Sequence, residues 1–300
     1  MKFLAPRRSI GQVIALMAMM AAINIIVSVV AAFSIVASIF LIIVLPLTSV
    51  IIVLTCPEKY FPIYAFATIG LSLVATIWNL DVTLFYVVPS IVSGFVFGFC
   101  IKRSIYFGWS IVIAAVLQAA ISFAIVPLIN VLFEIDFIKD LQEIFKIYEE
   151  ITGEIFVVVS FYIISLIQTF ISYFVVKNEV GKLAIKNDQN RGFKYFVFSG
   201  VCCAIVMLPV SLMSIAAAYG FELLSLTVAG FAVFEFFKNK QSRLLIASAA
   251  TLLANIFLVA IFYNMIPAYC GLMVFAVTPL VICLLSFCFF LLRKQTNDIK

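Results

Sequence analysis

Long apolar runs alternate along this chain with short polar breaks, and most of the runs share a length. A helix crossing the hydrocarbon core of a bilayer needs about 20 mostly apolar residues. Runs of that order fall at roughly 10–31, 35–56, 61–79, 82–101, 105–133, 155–176, 195–219, 222–237, 244–263 and 268–292. The pattern predicts an all-α, polytopic integral membrane helix bundle of about ten spans, within a range of eight to ten. The eighth run sets that range, because it is short and diluted by Ser225 and Thr227. Tight connections are expected at Ala31–Ser34 and near Tyr219–Glu222. The run from Ile10 to Cys56 far exceeds the apolar region of a cleaved signal peptide, about 7–15 residues, and reads as two retained helices.

One stretch departs from the pattern. Residues 134–154 place Phe137, Ile138, Leu141, Ile144, Phe145, Tyr148 and Ile151 at three- and four-residue steps. Asp136, Asp140, Glu143, Lys146, Glu150 and Glu154 take the opposite face, which predicts an amphipathic helix. Such a helix either lies along the outer leaflet or acts as a lid over an outward-facing cavity. The whole chain, 1–300, reads as a single transmembrane domain: N-terminal spans in 10–133, the amphipathic helix at 134–154, and C-terminal spans in 155–293.

Charge supplies direction. Lys2, Arg7 and Arg8, Lys59, Lys102 and Arg103, the 177–194 loop, Lys238, Lys240 and Arg243, and the C-terminal Arg293, Lys294 and Lys300 fall at alternate turns. Of the 19 Lys and Arg residues, all except Lys139 and Lys146 then share one side. Asp81, Glu222 and the acids of 134–154 fall on the other. Cytoplasmic loops retain Lys and Arg, so both termini are expected in the cytoplasm of a bacterial cell, with the chain a multi-pass protein of its plasma membrane.

Composition narrows the function. With 66% hydrophobic and 11% charged residues, and a mean hydropathy of +1.26, the chain leaves no room for a soluble domain. The net charge of +5 fits loops facing anionic lipid, and no nucleic-acid partner is expected. The seven cysteines form no CxxC pair and histidine is absent, so neither a disulfide framework nor a metal or cofactor site is expected. There is no GxxxxGK[ST] loop. No predicted span carries a charge near its midpoint, which counts against a proton-coupled pump. No catalytic constellation is visible, and the chain is expected not to be an enzyme.

Polar residues within the spans are mainly amides: Asn24, Gln118, Gln168 and Asn255. They either bond between helices or line a polar substrate cavity. Trp78, Asn79, Asp81 and Tyr86 cluster at the turn between the third and fourth spans, as an aromatic belt or as part of the same cavity. Prolines at 46, 89, 127, 209 and 279 interrupt spans, as broken helices do in some transporters. Small residues at four-residue spacing let helices approach closely. Gly94 and Gly98 form a GxxxG, and Ala18 and Ala22 an AxxxA, both candidates for helix packing or partner docking.

A basic N-terminus, an Ala-rich first span, Leu45-Pro46-Leu47 in the second, and a fourth running from Val88-Pro89-Ser90 through Gly94 and Gly98 to Lys102-Arg103 together resemble the YybS-like family. That family comprises bacterial membrane proteins of unknown function. It is distantly similar to the substrate-binding S components of energy-coupling factor (ECF) transporters. The resemblance implies a helical bundle that captures a small-molecule ligand and passes it through a transmembrane partner subunit driven by ATPases. It also implies that Ala18 and Ala22 dock that partner. The chain departs from S components in its short first connection and in about four additional spans. The sequence therefore leads to a small-solute binding or transport subunit without its own energy source. The alternative is a membrane scaffold or assembly factor acting through helix–helix contacts.

Overall fold

In hydrocarbon a backbone amide has no water to bond, so an apolar run satisfies its N–H and C=O groups internally as a helix. The computed structural model describes residues 9–134, 136–147, 150–182, 192–262 and 276–298, and its regular structure is all helical. The helices are α1 (Ile10–Ala32), α2 (Ile35–Thr55), α3 (Phe61–Ala75), α4 (Leu80–Val82), α5 (Val88–Lys102), α6 (Phe107–Phe133), α7 (Phe137–Phe145), α8 (Glu150–Lys182), α9 (Phe193–Ser211), α10 (Ile215–Lys238), α11 (Ser242–Phe262) and α12 (Val277–Asp298). A π-helical turn, Thr83–Val87, joins α4 to α5, and a short 3-10 turn, Glu58–Tyr60, precedes α3.

Among the described residues six helical stretches are long and apolar enough to cross a membrane. They are Ile10–Ala32, Leu80–Lys102, Phe107–Phe133, Thr152–Val180, Phe193–Ser211 and Ile215–Lys238. Leu41–Thr55, Ser242–Leu258 and Val277–Phe290 are apolar but shorter. Outward faces are apolar as well: Phe66 and Val131 are each 79% exposed. A surface of that kind suits lipid, not water. The N-terminal basic residues, the charges of 183–191 (Lys186, Asp188 and Arg191), Asn264, Cys270 and Lys300 lie outside the described residues.

The chain divides into two compact units. The first comprises Met1–Ile138 with Phe161–Arg191, and the second Lys139–Ser160 with Gly192–Lys300. In the first, α5 lies against α2 because Gly94 and Gly98 remove side chains from the contact. A Cβ built on Gly94 would stand 2.6 Å from the Pro46 carbonyl oxygen, and one on Gly98 would stand 2.7 Å from Val53 Cβ. Leu41, Leu45, Ile52 and Ile91 fill the core around this crossing. In the second unit Gly200 of α9 does the same work. Its missing Cβ makes room for Val228 of α10 and Cys283 of α12, and Ser225 Oγ donates to the Gly200 carbonyl at 2.9 Å.

Two expectations need correcting. The connection placed near Tyr219–Glu222 lies at residues 212–214 instead. Ser214 caps α10, its side chain accepting from the Ala217 amide at 3.2 Å, and the strongly helix-forming Ala216–Ala218 run follows. Glu222 is therefore seven residues inside α10, about 10 Å along its axis, not at its end. The expectation that Glu222 sits at a span end falls with it. The amphipathic pattern over 134–154 is divided rather than one helix: Phe137–Phe145 forms α7 and 150–154 opens α8, while Ile135, Tyr148 and Glu149 lie outside the described residues. Glu134 and Lys146 take left-handed backbone conformations, φ 54° and 56°, and bound α7 on either side.

Candidate functional site

A cavity of about 540 Å³ opens in the first unit beside the α3–α4 turn. Trp78, Asn79 and Asp81 contribute from that turn, Phe85 and Tyr86 from the π turn, Ser122, Ile129 and Phe133 from α6, Phe137 from α7, and Phe161, Ile164, Ser165 and Gln168 from α8. It lies at the end of these helices away from Lys102, which closes α5, and Lys177, which lies toward the far end of α8. Ligand cavities commonly have this size and this mixture of apolar wall with a few polar groups.

Local chemistry builds the walls. α3 ends with the Thr76 amide bonded to the Ser72 carbonyl, and the Thr76 and Thr83 hydroxyls meet at 2.7 Å to close the turn. Asn79 Nδ2 donates to the Ala32 carbonyl at 3.2 Å, and Trp78 packs on Phe33 at 5.8 Å between ring centres. The turn is thus fastened to the end of α1. The π turn has an equally local cause. Pro89 has no amide hydrogen to give to Phe85, and its ring would crowd that carbonyl in a regular helix. Widening the preceding turn, with the Val88 amide reaching back to Thr83, relieves this. It also brings Phe85 and Tyr86 to the cavity wall. Phe85 stacks on Phe137 at 5.9 Å, and the Phe137 amide is held at 3.1 Å by Asn130 Oδ1.

Of the candidate cavity residues, Trp78, Asn79, Asp81 and Gln168 meet in this wall. Gln118 stands one step behind it. Its Nε2 donates to Gln168 Oε1, and its own Oε1 accepts from Ser93 Oγ at 3.2 Å. This amide chain joins α5, α6 and α8 and orients the Gln168 side chain. Asn24 is elsewhere, fully buried where α1, α2 and α3 meet. It donates to the Tyr64 hydroxyl at 2.8 Å and accepts from Thr48 Oγ1 at 2.8 Å. Asn255 lies in the second unit, donating to Thr278 Oγ1 at 2.7 Å between α11 and α12. Both serve as interhelical bonds.

The docking candidates also separate. Gly94 and Gly98 face α2 of the same chain, so that surface is already covered. Ala18 and Ala22 lie on an exposed face of α1. Phe85, Ser122, Phe133, Phe161 and Ser165 were not singled out from sequence, whereas Phe137 was placed on the apolar face of the 134–154 helix. Ser122 and Ser165 were within reach of spacing arguments, being four residues after Gln118 and three before Gln168, hence on the same helix faces.

The class this architecture defines, over the described residues, is an all-helical chain with six helices long and apolar enough to cross a membrane and a ligand-sized cavity in its first unit. Comparison with known protein families, curated proteins and solved structures gives no match to the chain.

Proposed function

We propose that the chain is a non-enzymatic, solute-binding subunit of a bacterial plasma-membrane transport system, of YybS-like, ECF S-component-like type. The cavity carries this reading. It is large enough for a small molecule, it is lined by Asn79, Asp81, Ser122, Ser165 and Gln168 among aromatic rings, and its turn is fastened to α1. On the reading of about ten crossings with both termini in the cytoplasm, which the charge pattern supports, the cavity opens at the outer face, where a subunit of this kind captures its solute. Without a nucleotide-binding loop the chain needs a partner to supply energy. The exposed Ala18–Ala22 face of α1 is the surface offered to that partner.

A thermal-shift screen of small metabolites on purified protein tests the binding, since a ligand that binds the folded state raises apparent stability by mass action. Pull-down from membranes tests the partner. A stabilising ligand and co-purified ATPase subunits are the expected results, and absence of both would dismiss the reading. Cysteine labelling tests the orientation: reporters at Leu183 and Ile144 are expected to react from opposite faces of the membrane.

A further inference from the structure

We infer that the cavity takes an organic cation, an ammonium group on an apolar body. This inference rests on the solute-binding reading above and deepens it by naming the ligand class. Asp81 is the only formally charged side chain among the described lining residues, and no Lys or Arg joins it. Among the described residues Asp81 has no cationic partner: the ion pairs there join Lys102 to Glu58 and Lys238 to Glu235.

The rest of the lining has the matching chemistry. Trp78, Phe85, Tyr86, Phe133, Phe137 and Phe161 present six aromatic rings to the same cavity. An aromatic face attracts a cation through its quadrupole, most strongly for Trp, and this attraction grows as water is excluded. A carboxylate without an internal counter-ion, set among such rings, favours a positive ligand and repels an anion. A wholly apolar ligand would gain nothing from Asp81. The amides of Asn79 and Gln168 and the hydroxyls of Ser122 and Ser165 are left to orient polar groups on the ligand body. Glu134, exposed next to Phe133, adds negative charge near the cavity and steers a cation toward it.

The test uses three probes of similar size: benzyltrimethylammonium, its uncharged carbon isostere neopentylbenzene, and the anion phenylmethanesulfonate. Binding to full-length protein in detergent is read from tryptophan fluorescence. A Trp109→Phe background leaves Trp78, in the cavity wall, as the remaining one of the chain's two tryptophans. The ammonium probe is expected to bind at least tenfold more tightly than the isostere, with the sulfonate weakest. Asp81→Asn, at an exposed position, is expected to lower ammonium affinity at least tenfold and to leave the isostere unchanged. Equal binding of ammonium and isostere, or indifference to Asp81→Asn, overturns the inference. If the isostere or the sulfonate binds best, the cation assignment falls while the solute-binding reading stands. If no probe binds, and the metabolite screen is also empty, both fall.

Discussion

Asn24 in the first unit and Glu222 in the second are both polar side chains enclosed by apolar helices, with opposite outcomes. Asn24 shares hydrogen bonds with Tyr64 and Thr48, so three helices are tied through one amide. Glu222 is 2% exposed, and neither carboxyl oxygen has a hydrogen-bond partner among the described residues. The glycine contacts differ in parallel. Gly94 meets the backbone of α2 at Pro46, whereas Gly200 meets only the side chains of Val228 and Cys283. At these two pairs of positions the first unit offers a shared amide and a crossing set against backbone, and the second a carboxyl among apolar helices and a crossing set against side chains that can adjust.

The glycines give the sharpest way to break this contrast. Gly94→Val puts carbon against a carbonyl 2.6 Å from the new Cβ, on a proline whose φ cannot change. Overpacking of that kind costs about 3 kcal/mol, and a large fall in melting temperature and in folded yield is expected. Gly200→Ala meets Val228 Cγ1 at 2.6 Å and Cys283 Sγ at 2.8 Å, groups that can rotate away. Its cost is expected near about 1 kcal/mol. Equal losses in thermal unfolding of the two variants would remove the distinction between the units.

The polar pair gives the next largest effects, and they have opposite signs. Asn24→Ala strips Tyr64 and Thr48 of a buried partner, at a cost of about 2 kcal/mol. Glu222→Met removes a carboxyl that makes no hydrogen bond and supplies apolar contact in its place. A gain of about 1–2 kcal/mol is expected, because a buried polar group without a partner retains its desolvation penalty. Melting temperatures measured in one detergent check both. Destabilisation by Glu222→Met would show that the carboxyl has a stabilising role in the second unit after all.

Much of this was legible in the sequence, and the part that was not has physical causes. Apolar run length located the helices of the first 133 residues to within a few residues and missed by more at α8 and at the α9–α10 connection, because hydrocarbon fixes how long an apolar run must be but not where a turn interrupts one. The turn at 76–82 was visible as a cluster of Trp78, Asn79, Asp81 and Tyr86, since aromatic and polar groups gather where a span ends. The α9–α10 turn was hidden because Ser214 and the three alanines after it are as compatible with a helix interior as with a start. Only the Ser214 side-chain bond to Ala217 decides. That two-turn displacement moved Glu222 from a loop into the core. The aromatic wall was hidden for a different reason. Phe85, Phe133 and Phe161 are separated along the chain, and with 32 phenylalanines no single one of them stands out. Likewise, amides on different helices do not reveal by spacing whether they bond each other, as Gln118 and Gln168 do, or a hydroxyl, as Asn24 does.

The smallest effect comes from the carboxyl at the other extreme from Glu222. Glu58, in the turn before α3, meets Lys102 Nζ at 3.0 Å, with both side chains more than a third exposed. The hydrogen bond and charge of Lys102 hold the Glu58 carboxyl below its usual range. A folded-state value below the unfolded one, about 4.3, gives stability that is complete above the unfolded value. It is lost as pH falls through the folded one. Solvent and salt screen such a pair, so Lys102→Met is expected to cost less than about 1 kcal/mol at pH 7. The difference between variant and parent should shrink in high salt and disappear as pH falls below the lowered folded-state value of Glu58, as read from denaturation midpoints. A loss that persisted at low pH would mean that the lysine stem, packed along the turn, matters more than its charge. The first unit would then be held at this end too by shape, as at Gly94.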